Sequence, residues 1–133
     1  MKKTIRISIY LSIMFAVILI TNSCKKENKV PTIAIVEPME NDTISLAVSP
    51  EVHIEFTASD DEELHYLSVN VHDDMANSFL ADTPSVHGNK TFDYHEHIMP
   101  SGITNTKRMT LEIKAEDHEE LMTTKSVVFY VKP

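Results

Sequence analysis

The chain has 133 residues, with 20 acidic side chains against 12 basic ones, a net charge of −8 and an isoelectric point near 5.3. So acidic a surface repels nucleic acid phosphates and anionic membranes, which removes nucleic acid from the partners to consider. One cysteine rules out an internal disulfide, and two glycines leave little material for phosphate-cradling or tight catalytic loops.

Lys2, Lys3 and Arg6 open the chain, and residues 7–20 are apolar apart from Ser8, Tyr10 and Ser12. Thr21, Asn22 and Ser23 then lead into Cys24, the lone cysteine, followed by Lys25, Lys26 and Glu27. A basic head, a short apolar run and small residues before a cut make a secretory signal peptide, and the run is short for a membrane span. The junction resembles a bacterial lipobox, and the whole segment resembles the lipoproteins of Bacteroidetes. That resemblance implies a lipoprotein signal peptide over residues 1–23, then a lipidated Cys24 and polar tether over residues 24–30. Two or three acyl chains hold a protein in a membrane where one chain binds only marginally. The implied location is the cell envelope, on the outer membrane, facing the periplasm or the surface. Cleavage would remove three basic residues and no acidic ones, lowering the net charge from −8 to −11.

From Pro31 onward apolar residues recur with period two, the pattern of strands. Strands are expected at 32–36, 43–48 (a short edge), 52–58, 64–72, 91–98, 107–116 and 123–131, with room for one short edge strand between 73 and 90. Their inward residues include Ile54 and Phe56, then Leu67, Val69 and Val71. Phe92, Tyr94 and Ile98 follow on the next strand, then Leu111, Ile113 and Ala115. Turns are expected at 60–63, 100–102 and 117–120, where acids, Pro or Gly interrupt the pattern. No segment keeps a helical period. About seven short strands in about a hundred residues predict an all-β sandwich over residues 31–133.

The segment from Thr57 to Leu64 echoes the one from Lys114 to Leu121: strand, acidic turn, strand. This resembles immunoglobulin-like and cadherin-like modules of bacteria, as do the opening Pro31-Thr32-Ile33-Ala34-Ile35 and the closing apolar strand. His95-Glu96-His97-Ile98-Met99-Pro100, followed by residues 107–117, is similar to a Bacteroidetes lipoprotein family, domain of unknown function 4625. His118-Glu119 stands where that family has glycine after the aspartate. The resemblance implies an immunoglobulin-like fold and an envelope location, and no chemistry.

Seven histidines, all beyond Cys24, are the main chemical material. His95 and His97 lie two apart on one strand, so they share a face, with alpha carbons about 6.6 Å apart. Phe92, Tyr94 and Ile98 take the inward parity, so both histidines point to solvent. In an immunoglobulin-like sandwich this strand pairs antiparallel with 52–58, which brings His97 near His53. Three imidazoles together suit zinc or copper, and His72, expected at the same pole, is a fourth candidate. The competing reading is of solvated strand histidines on an acidic face. Asp60, Asp61, Asp117 and Glu119, gathered by the two acidic turns, form an alternative set of hard oxygen ligands for calcium. No nucleophile-and-base arrangement stands out, so no enzyme is expected. The function expected is a non-catalytic envelope module that binds a divalent transition metal, or a protein partner or small ligand, while its lipid holds the membrane. The alternative is a structural or adhesive module with no metal site.

Overall fold

The computed structural model describes residues 27–133. Cys24 and the expected signal peptide lie outside the described residues. Seven strands follow in order: β1 (Thr32–Glu37), β2 (Thr43–Ser45), β3 (Val52–Asp73), β4 (Ser78–Asp82), β5 (Asn89–Ile98), β6 (Lys107–Asp117) and β7 (Met122–Lys132). None of the described residues is helical.

β3 organises the molecule. Its first half is flanked by β1 and β5, both antiparallel. Its second half is flanked by β4 and β6, and β6 continues to β7 and then to the short parallel β2. A strand that changes sheets part-way makes the corner of a sandwich. The alternating apolar residues of both halves meet in one core: Ile54, Phe56 and Ala58 from the first, Leu67, Val69 and Val71 from the second. Leu111, Ile113 and Phe129 close it from β6 and β7, all fully buried. The described residues form an all-β sandwich of seven strands.

One expected turn is absent. Residues 60–63 do not reverse the chain but remain within β3. The pairing partners change between Ser59 and Leu64, and Asp60 Oδ1 accepts the Glu62 amide at 2.8 Å. A side chain that bonds its own backbone two residues on bends the strand without reversing it. The apparent echo between this segment and the one around Asp117 is therefore one of composition.

The true partner of the Asp117 turn is the Asp73 turn. Asp117 Oδ1 accepts the amides of Glu119 and Leu121 at 2.8 and 2.9 Å. Asp73 Oδ1 accepts those of Met75 and Asn77, both at 2.9 Å. In each turn the residue three after the aspartate has positive φ: Ala76 at 62° and Glu120 at 64°. Side chains with a β-carbon are strained there and glycine is not. Ala76→Gly should therefore stabilise the domain by about 0.5–1 kcal/mol, raising its melting temperature by a few degrees. An unchanged or lower melting temperature would count against strain at this turn.

Candidate metal centre

The register of β3 against β5 sets His53 opposite His97 and Glu55 opposite His95. Val52, Ile54 and Phe56 point into the core, so the odd-numbered residues of this stretch face outward. On β5, Tyr94 and Ile98 are buried, which turns His95 and His97 to the same outer face.

There the three rings converge. His53 Nε2 lies 2.8 Å from His95 Nε2 and 2.9 Å from His97 Nε2, and the third side of the triangle is 3.3 Å. An ion about 2.0–2.1 Å from each nitrogen would stand about 1.1 Å off their plane, leaving its other side for a further ligand. The edges are slightly shorter than the roughly 3.3–3.4 Å of a tetrahedral zinc site, so binding asks only for a few tenths of an ångström of opening.

Two carboxylates stand behind the triangle. Glu37 Oε2 is 2.9 Å from His53 Nδ1, and Glu51 Oε2 is 2.9 Å from His97 Nδ1. A carboxylate accepts, so each Nδ1 carries a proton, which leaves Nε2 as the ligand atom turned toward the triangle whenever the ring is neutral. Lone pairs 2.9 Å apart repel unless a cation, either a proton or a metal, sits between them. Carboxylate, imidazole, metal is the arrangement by which outer groups fix ring orientation and raise ligand basicity. Glu37 arrives by an irregularity in β1: pairing with β3 shifts between Ile35 and Glu37, setting Glu37 opposite Glu55 on the histidine face. His53 is partly covered and the other two histidines are exposed, so an ion can enter from solvent.

His72 is not brought to this group. It lies on the second half of β3, paired with Ser78 and Thr110, with its Nδ1 3.2 Å from the Asp73 carbonyl. The outer faces of two packed sheets point away from each other, and His53 and His72 sit on different ones.

The acidic set fares no better. Asp117 places one oxygen on its turn amides and accepts the Asn28 side-chain amide on the other, at 2.7 Å. Glu63 is 2.8 Å from His118, so the two acidic stretches do meet. Yet among the described residues, side chains of ligand type come within 4.8 Å of one another in only two groups of three or more, and both consist of histidine alone. Asp60, Asp61, Asp117 and Glu119 belong to neither. The second group, His65, His87 and His118, was not legible in the sequence.

No protein-family model matches this sequence, and no curated protein does. Among solved structures the chain is similar to CopC from Methylosinus trichosporium OB3b, at 9% identity and a TM-score of 0.47, covering 77% of this chain and 95% of that one. It is also similar to a Niemann-Pick type C2 protein from the Japanese carpenter ant, at 9% identity and a TM-score of 0.43, covering 82% and 96% respectively. Both are likenesses of chain path, with no bearing on which residues act.

Proposed function

We propose that this protein is a cell-envelope lipoprotein, anchored through acylated Cys24, whose sandwich is a non-catalytic module binding a divalent transition metal. His53, His95 and His97 are the ligands, Glu37 and Glu51 orient two of them, and the ion is zinc or copper. One observation carries this reading: three imidazole nitrogens within 2.8–3.3 Å, with a carboxylate behind two of the rings. Side chains placed by a strand ladder are held more firmly than side chains on loops, so little ordering is needed on binding. Imidazole is a good ligand for both metals, and the site holds no thiolate to select between them.

Calorimetric titration of Zn²⁺ and Cu²⁺ into the detergent-solubilised full chain tests this. The expected result is binding at micromolar or tighter concentration that His95→Ala/His97→Ala loses from its tightest site. If that variant keeps the tightest site, that site does not lie on His95 and His97, and the reading of the first group as a metal centre fails. The anchor has its own test: metabolic labelling with a palmitate analogue should mark the native chain and fail on Cys24→Ser. Label on the variant, or none on the native chain, would refute lipid anchoring at Cys24.

A further inference from the structure

The second histidine group lies at the bend of β3. Leu64 pairs with Asn89 on one side and with Asp117 on the other, so three chain segments meet there. His65 follows Leu64, His87 lies two residues before Asn89, and His118 follows Asp117. Their rings gather as a consequence: centroids are 4.4 Å apart for His65 and His118, 4.8 Å for His87 and His118, and 5.4 Å for His65 and His87. One nitrogen from each lies within 4.8 Å of the others.

Glu63 Oε1 is 2.8 Å from His118 Nε2, which places a carboxylate directly on the group. Beside it an open cleft of about 170 Å³ is lined by Asn28, Glu62, Glu63, Asp117 and His118. Three imidazoles with carboxylates around them suit a divalent cation far better than an anion or an apolar ligand. Carboxylates alone at this end would point to calcium, but the donors that converge are imidazoles, which favour zinc, copper or nickel.

We infer that His65, His87 and His118 form a second divalent transition-metal site, independent of the first. Six residues of β5 separate His95 from Asn89, so about 20 Å of strand lies between the two groups, and one ion cannot serve both. The second site is the looser. Its ring centroids lie 4.4–5.4 Å apart, against 4.1–5.2 Å in the first. His87 and His118 also come from loop and turn, so ion binding must draw them together. Its affinity is expected to be at least about tenfold lower.

Equilibrium dialysis of the full chain in detergent against Zn²⁺, at a free concentration saturating both sites, counts the ions directly. The expected counts are two per chain for the native protein and one for His65→Ala/His118→Ala. His87→Ala, outside every strand, should also reduce the count to one without touching a ladder, and circular dichroism checks that each variant is folded. His72→Ala, a histidine in neither group, should leave the count at two. A count that His65→Ala/His118→Ala and His87→Ala both leave unchanged overturns the second site. The two sites stand or fall separately: if His95→Ala/His97→Ala leaves the count unchanged while His65→Ala/His118→Ala lowers it, the first site fails and the second stands.

Discussion

Asp73→Ala should lower the melting temperature at neutral pH by about 10 °C or more, the largest stability loss expected from any single polar side chain here. Asp73 is only 4% exposed, yet it collects four hydrogen-bond donors. Its Oδ1 accepts the amides of Met75 and Asn77, and its Oδ2 accepts from the Asn77 side chain at 2.8 Å and from Lys107 Nζ at 2.9 Å. Truncation leaves two turn amides and a partly covered ammonium without a partner, and losses of that kind dominate the destabilising tail of point mutations. The Asn77 and Lys107 hydrogen bonds hold the Asp73 carboxyl far below the ordinary carboxylate range. The sign of the pH effect follows. A carboxyl whose folded value is depressed contributes stability that is fully present above its unfolded value, about 3.9, and is lost as pH falls below that toward the folded value. Melting curves of the native protein should therefore drop steeply below about pH 4. Asp73→Asn keeps an acceptor for the turn amides but no charge for Lys107, so it should lose less at neutral pH and drop less steeply in acid. A loss of only a degree or two on Asp73→Ala would mean that the turn holds without its carboxylate.

Much of this architecture is legible from side-chain parity alone. The inward residues expected on the strands at 52–58, 64–72 and 107–116 are the ones found in the core, because a period-two pattern leaves no freedom about which face is buried. The meeting of His53 with His97 follows from the same parity once the two strands are paired. What the sequence conceals is the contribution of segments outside a ladder. Glu51 precedes β3, and Glu37 reaches the histidine face only because the pairing of β1 slips after Ile35. The acidic stretch 60–63 has the composition of a reversing turn, but its two flanks belong to different sheets and the chain bends instead of folding back. That bend brings His65, His87 and His118 together from segments far apart in the chain, and no spacing motif announces it. His72 shows the converse failure. Residues at one end of a sandwich share an end without sharing a face, and only a shared face lets side chains meet.

The proton is the natural competitor of the metal at the first site, because the nitrogens that would hold an ion already stand at hydrogen-bond distance from one another. Binding requires all three imidazoles neutral, and imidazole ordinarily titrates in the range just below neutral pH. Metal affinity should therefore fall steeply as pH drops from about 7.5 to 5.5, with up to three protons displaced per ion at the acid end. Loss of fold does not explain such a fall, since the acid-sensitive contribution of Asp73 persists until below about pH 4. Circular dichroism at pH 5.5 checks this directly. Glu37→Gln/Glu51→Gln supplies the companion result. The glutamine amide oxygens still accept from Nδ1 but polarise the rings less, so affinity at neutral pH should fall by about 10- to 100-fold with the ligands intact. Affinity that stays flat from pH 7.5 to 5.5 would mean that the bound ion is held by oxygen ligands elsewhere. A proton count near three, with the carboxylate variant weakened, would place the ion on His53, His95 and His97 and assign Glu37 and Glu51 the task of aiming them.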